Sequence, residues 1–265
     1  MKVAVTGATG FVGRHVVADL QRRGMSPTIV TRKTVDLRSP PPNAFQLMGE
    51  PDVLIHLAWG GLPYFDASSH VEEELPAQYR FLKGLIDAGL KNLLVAGTCY
   101  EYGMQSGQLD EEREARPIIP YAVAKHRLRL ELEPLRVNLT WARMFFLFGE
   151  GQFPKSLLPQ LKAAVARGDK IFNMSGGEQL RDYLPIEQAA EYLVSLALQQ
   201  RKIGIVNVCS GKPISVRALV EGWIQEHGWA ITPNLGYYPY ATSEPMEFWG
   251  DRRKLDRCLG ASVPA

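Results

Sequence analysis

At 265 residues the chain is long enough to bury one large core, or one core with a small appended lobe. Hydrophobic residues at 46% and charged residues at 22% describe an ordinary soluble globular protein, and a formal net charge of +2 gives no reason to expect nucleic acid or a membrane as partner. Three widely spaced cysteines (Cys99, Cys209, Cys258) form neither a metal motif nor a disulfide framework, so a reducing cytoplasm is expected.

The first strand, Val3–Thr6, runs directly into Gly7-Ala8-Thr9-Gly10-Phe11-Val12-Gly13 and a helix over Gly13–Arg23, with Val12, Val16, Val17 and Leu20 on one face. Because residue 2 already belongs to that strand, no signal peptide is expected. Glycines between strand and helix allow a tight turn, close approach of a pyrophosphate to the amides, and close helix–strand packing. The helix N-terminus then faces the anion with unpaired N–H groups and the positive end of its dipole. Gly7, Thr9, Gly10, Phe11 and Val12 are therefore candidate dinucleotide contacts.

Further strands are read at Thr28–Thr31, Val53–Leu57, Asn92–Ala96, Asn138–Arg143 and Ile205–Val208. Helices are read near His70–Ala88, Pro120–Leu132, Pro154–Arg167, Ile186–Gln199 and Ser215–His227. The alternation predicts an α/β, Rossmann-type, doubly wound parallel sheet with a smaller, discontinuous C-terminal substrate lobe. Residues 1–147, with 180–210 returning, are assigned to the dinucleotide-binding part, and 148–265 mainly to the lobe. Low-complexity segments, internal repeats and membrane-length apolar runs are absent. The five histidines show no metal-ligand spacing; His56 reads as packing, and Trp59 borders either core or pocket.

Tyr121 and Lys125 lie four apart on a predicted helix and so share a face, and Thr98 follows the fourth strand at the carboxyl edge of the sheet. With the glycine loop, His56-Leu57-Ala58, Gly97-Thr98-Cys99-Tyr100-Glu101-Tyr102-Gly103, Tyr121-Ala122-Val123-Ala124-Lys125, Arg143 with Phe148-Gly149, and Arg181-Asp182-Tyr183, the chain resembles extended short-chain dehydrogenases/reductases of the nucleotide-sugar epimerase/dehydratase type. The resemblance implies that Thr98 hydrogen-bonds the reacting oxygen, Tyr121 exchanges a proton, and Lys125 holds the nicotinamide ribose while favouring the Tyr121 phenolate. It also implies cofactor contacts from Leu57 and Ala58, a structural Asp182, and an anion-binding Arg181 suited to a diphosphate.

At the second strand's end, Thr31-Arg32-Lys33 offers no carboxylate for a ribose 2′-hydroxyl, so NADP(H) is favoured, with NAD(H) possible. Asp36 and Leu37 resemble the family's adenine-side pair. Cys99 and Tyr100 stand where dehydratases of the family carry Asp-Glu, which argues against water elimination. Glu74 and Phe146 replace asparagines usual in relatives, Pro239–Phe248 lacks a basic residue ahead of Arg252 and Arg253, and the chain stops at Ala265. These departures argue against a typical UDP-hexose 4-epimerase. The expected function is an NAD(P)H-dependent 4-ketoreductase of a nucleotide-linked 4-keto-6-deoxy sugar. The alternatives are a nucleotide-sugar epimerase with tightly bound NAD and a non-catalytic dinucleotide-binding regulator. A homodimer is expected through the helices near His70–Ala88 and Pro120–Leu132, whose stripes are Leu75, Tyr79, Leu82, Ile86, Leu128 and Leu132.

Overall fold

Residues 1–240 and 244–260 are described by the structure, a computed structural model. Part of the Pro239–Phe248 segment (residues 241–243) and the chain end at Ala265 lie outside the described residues. In chain order the first half comprises β1 (Val3–Thr6), α1 (Phe11–Arg22), β2 (Thr28–Val30), α2 (Ala44–Leu47), β3 (Val53–His56), α3 (Leu75–Asp87), β4 (Asn92–Thr98), β5 (Gly107–Leu109) and α4 (Pro120–Leu132). There follow β6 (Asn138–Met144), β7 (Phe146–Phe148), α5 (Leu157–Ala166), β8 (Ile171–Asn173), β9 (Leu180–Pro185) and α6 (Ile186–Ala197). The last elements are β10 (Gly204–Val208), β11 (Pro213–Ser215), α7 (Val216–His227), β12 (Thr232–Asn234), β13 (Phe248–Gly250) and α8 (Arg253–Leu259).

Continuous apolar strands such as Val3–Val5 and Leu93–Ala96 suit a parallel sheet covered on both faces. They form one, in the order β10-β6-β4-β3-β1-β2. One face is sealed by α1, α6 and α8 through Val16, Leu20, Leu193, Val194 and Leu255. The other is sealed by α3 and α4 through Phe81, Leu82, Leu128 and Leu132. From β1 the chain goes outward to β2 and then crosses back to β3, so the order reverses between β1 and β3, and the carboxyl ends there open a ligand crevice.

The turn between β1 and α1 tolerates no side chain at two of its glycines. Gly7 has φ +67, and a Cβ there would lie 2.7 Å from the Ala58 nitrogen. A Cβ on Gly13 would lie 2.1 Å from the Gly7 carbonyl oxygen, so glycine is what lets α1 sit against the loop.

After β7 the chain builds the smaller lobe. There, β9 pairs with β7 and β11, β8 pairs with β12, and α5 and α7 close over Leu158, Leu161, Phe172, Leu219 and Trp223. Between these pieces α6 and β10 return to the main sheet.

Several expectations need correction. The helix read from His70 opens as a π turn, His70–Glu74, before α3 begins. The helix read from Pro154 starts at Leu157, after Ser156 in extended backbone. Of the stripe assigned to a dimer seam, Leu75, Leu82, Leu128 and Leu132 are buried in the chain's own core, while Tyr79 and Ile86 are half-buried. The outward face of those helices carries Arg80, Asp87, Arg127 and Glu131 together with exposed Leu130.

Candidate active site

The crevice is built from the β1–α1 turn, the ends of β3 and β4, and the first turn of α4. At the helix end, Gly10 is the N-cap residue of α1, with no side-chain cap and no acidic residue in the first turn. Amides left this way fit the pyrophosphate of a dinucleotide. Leu57 and Ala58 are held over β1 because both of their N–H groups reach the Thr6 hydroxyl, at 3.2 and 3.4 Å.

At the end of β2 the turn Thr31–Thr34 is closed on itself. The Thr34 hydroxyl accepts from the Thr31 N–H and donates to its carbonyl, both at 2.9 Å. Arg32 and Lys33 project from that turn, exposed, with no ion-pair partner among the described residues. Asp36 accepts from the Arg38 N–H at 3.0 Å, and Leu37 is half-buried on the second core.

His56 is buried, as read, and works as a link. Its Nδ1 meets the Thr6 hydroxyl at 2.9 Å and its Nε2 meets Gln78 Oε1 at 2.8 Å. Burial, reinforced by Lys125, drives its pKa down to about 3, so the ring is neutral and Nε2–H donates to Gln78. Gln78 passes the chain to Glu74 at 3.1 Å, and Glu74 accepts from Gly60 N–H at 2.9 Å and from Arg38 Nε at 3.1 Å. Glu74 is thus a buried anchor for the Gly60 loop.

Thr98, Tyr121 and Lys125 gather at the carboxyl end of β4. Lys125 is buried, its Nζ donating to the Ala96 carbonyl at 2.8 Å. Tyr121 is packed among Phe65, His70 and Trp59, with ring centroids at 5.4, 5.4 and 6.0 Å. Thr98 caps the short turn Cys99–Tyr102: its hydroxyl oxygen accepts from Tyr100 N–H at 3.3 Å, leaving its own O–H free to donate. Among the described residues, no direct hydrogen bond joins Thr98 to Tyr121.

Among the protein groups, burial raises the Tyr121 phenol's pKa, and Glu101 and Cys99 raise it further, so Tyr121 is a neutral proton donor in the chain by itself. Burial lowers Lys125 to about 7, against the pull of Glu101 and Glu74.

Sequence reasoning missed Glu101. It is fully buried and takes three donors: Thr98 N–H at 3.0 Å, Trp141 Nε1 at 2.8 Å and Arg143 Nε at 3.0 Å. The signal was present, since Thr98-Cys99-Tyr100-Glu101 has the spacing of a capping box, and the box forms. Arg143 also lies 4.5 Å over the Tyr102 ring.

Arg181 has partners within the chain. Its guanidinium is buried; Nε and Nη2 donate to Glu244 Oε2 at 3.2 and 2.9 Å, and Nη1 donates to the carbonyls of Leu180 and Met246. The other Glu244 oxygen accepts from the Tyr100 hydroxyl at 2.9 Å. The fork assigned to a substrate diphosphate thus already holds a carboxylate of the same chain. Asp182 is structural, accepting from the backbone N–H groups of Ser210, Gly211 and Gly250. Arg252 and Arg253 are paired with Asp256 and Asp251. Among the described residues, no cluster of His, Cys, Asp and Glu could hold a metal ion, and no helix is long and apolar enough to cross a membrane.

A glycine turn at the switch point of a doubly wound sheet, with Thr, Tyr and Lys at the neighbouring strand end, defines a Rossmann-type enzyme. The profile of the NAD dependent epimerase/dehydratase family matches residues 3–209, and the chain belongs to that family. It is 31% identical to the dTDP-6-deoxy-L-talose 4-dehydrogenase (NAD(+)) of Aggregatibacter actinomycetemcomitans, over 94% of this chain and 99% of that one. It is 28% identical to the dTDP-6-deoxy-L-talose 4-dehydrogenase (NAD(P)(+)) of Kitasatospora kifunensis, over 86% and 79%. Among solved structures, MoeE5 in complex with UDP-glucose and NAD superposes with a TM-score of 0.80 at 25% identity, covering 100% of this chain and 94% of that one.

Proposed function

We propose that the chain is an NAD(P)H-dependent reductase of a nucleotide-linked 4-keto-6-deoxy sugar that also runs the reverse oxidation. Similarity to two 6-deoxytalose 4-dehydrogenases along most of the chain supports this reading. The observation that carries it is the state of the groups around Thr98. Water elimination needs free carboxyl groups there, whereas Cys99 and Tyr100 have pKa values raised by burial and Glu101 is committed to Arg143. Carbonyl reduction needs hydroxyl donors, and Tyr121 and Thr98 are such donors.

When bound, a nicotinamide would supply or take up the hydride. Thr98 donates to the C4 oxygen and polarises the carbonyl, while Tyr121 delivers the proton as negative charge builds on that oxygen. Lys125 would hold the nicotinamide ribose hydroxyls, and the Gly7–Val12 loop would hold the pyrophosphate with backbone N–H groups. At the end of β2, exposed and unpaired Arg32 and Lys33 would suit a 2′-phosphate, which supports NADPH as the preferred partner. Pairing of two copies through α3 and α4 would rest on the outer face of those helices, where Tyr79 and Leu130 lie among Arg80, Asp87, Arg127 and Glu131.

The test supplies dTDP-6-deoxy-L-talose with NAD+ or NADP+ and follows the absorbance of the reduced nicotinamide. In the other direction, deuterium from labelled NADPH or NADH should appear at carbon 4 of the sugar. Interconversion of two hexose nucleotides with no net cofactor turnover and no label uptake would make the chain an epimerase.

A further inference from the structure

Lys125 presents an unusual arrangement for a buried ammonium. Its one hydrogen-bond acceptor is the Ala96 carbonyl, and no carboxylate lies within ion-pair distance among the described residues. What covers it is the face of Trp59, whose ring centroid is 3.9 Å from Nζ. At that distance the negative face of an indole attracts a cation, most strongly where water is excluded. Trp59 also packs edge-to-face on Tyr121, so one side chain touches both members of the pair.

The indole is itself fixed. Its Nε1–H donates to His70 Nδ1 at 3.1 Å, and the opposite ring nitrogen of His70 donates to the Tyr64 carbonyl at 3.0 Å. His70 is buried and heads the π turn, an irregularity that often marks a functional place in a helix. The flanking loop is pinned by the Gly60 N–H on Glu74, and Gly61, at φ +78, lies so close to the His70 ring that a Cβ would come within 2.9 Å of it. Three separate anchors therefore set the plane of one tryptophan.

We propose that Trp59 is a positioning residue, its indole face holding the Lys125 ammonium on the Ala96 carbonyl and beside Tyr121 in the orientation that hydride transfer uses. This rests on the reading of Tyr121 and Lys125 as the working pair. The other ionisable groups facing Lys125 are Glu101 from the turn after β4, Glu74 from the π turn, Tyr121 from its own helix and neutral His56 from β3. Of these Tyr121 alone is in ring contact with Trp59, so a change that keeps the indole's shape reports its π face on Lys125.

The test is a 13C NMR titration of the full chain carrying labelled lysine, with the Lys125 signal assigned by its loss in Lys125→Met. Fluorinated tryptophan keeps the indole's shape and cover and weakens its π face, so the Lys125 midpoint should fall with added fluorine, by up to about one pH unit, the size of a desolvated cation–π contact. That dependence should vanish in Trp59→Phe, where only the other tryptophans carry fluorine. In turnover, the alkaline limb of kcat/KM should follow the same displacement. A midpoint unmoved or raised by fluorination, or a dependence that persists in Trp59→Phe, overturns the proposal. The titration uses neither cofactor nor sugar, so loss of the reductase reading leaves this result interpretable, and an unmoved midpoint in an enzyme that turns over removes Trp59 alone.

Discussion

The buried pair of Glu101 and Arg143 sets a sharp test of how the turn after β4 is held. Both side chains are at most 1% exposed, and they meet at 3.0 Å. Substituting Glu101→Gln keeps an acceptor for Thr98 N–H and Trp141 Nε1, yet turns an amide towards Arg143 and leaves its charge uncompensated. Because Arg143 Nη1 already has no hydrogen-bond partner, the loss belongs at the upper end of the range for breaking a buried pair, about 3–5 kcal/mol. Arg143→Met strands a carboxylate that still has two donors, so its cost should sit at the lower end, about 3 kcal/mol. The double variant buries no unpaired charge and should cost less than the sum by roughly 2 kcal/mol or more. Denaturant midpoints at unchanged slope provide the readout. If the two losses add, or Arg143→Met costs under about 1 kcal/mol, the pair is not the unit described.

Tyr121→Phe removes the proton-donating hydroxyl and keeps the ring contacts to Trp59, Phe65 and His70, so kcat should fall more than about a hundredfold with the melting curve preserved; activity near that of the unmodified chain would remove Tyr121 from the chemistry. Arg32→Ala should weaken NADPH binding by roughly tenfold to a hundredfold and leave NADH nearly untouched, and equal affinities for both cofactors in the unmodified chain would refute the NADPH preference. Glu244→Ala clears the Arg181 fork; if a diphosphate displaces that carboxylate, KM for the nucleotide-sugar should fall, whereas a rise would make Arg181–Glu244 a structural latch. His56 is held neutral down to about pH 3, while an unfolded chain protonates it near 6.5. Its contribution is therefore complete above pH 6.5 and is lost as pH falls towards 3, about 3 kcal/mol by pH 4, and the acid limb of stability should flatten in His56→Gln.

The six strands of the main sheet were legible as short runs rich in apolar residues between turn signals, although β2 is mostly exposed and β6 carries Thr140 and Arg143, and the glycine turn was legible because three small residues sit between a strand and a helix. Tyr121 and Lys125 were legible because a spacing of four places both on one helical face. What escaped has physical reasons. Strands of the smaller lobe such as Phe146–Phe148 and Ile171–Asn173 are three residues long, too short for a period to register. The partnership of Arg181 with Glu244 spans 63 positions, and nothing local to either residue announces it. Tyr121 was expected to be lowered by Lys125 and the cofactor's positive ring; among the protein groups, burial, Glu101 and Cys99 raise it. Helical periodicity on α3 and α4 shows that a face is covered and is silent on what covers it, so core residues such as Leu82 and Leu128 read the same as a seam.

The turn Thr31–Thr34 satisfies its own polar groups and leaves Arg32 and Lys33 in solvent on the outermost strand of the sheet, so neither side chain is part of the packed interior. Residues there can be exchanged at almost no cost to folding, whereas a change at Glu101, Trp59 or Lys125 disturbs the core. On the proposed reading of Arg32 and Lys33, nicotinamide preference is set outside the packed interior and can change without disturbing it. Redirecting this chain from one electron pool to the other should take one or two substitutions on an edge, with the chemistry at β4 left as it is.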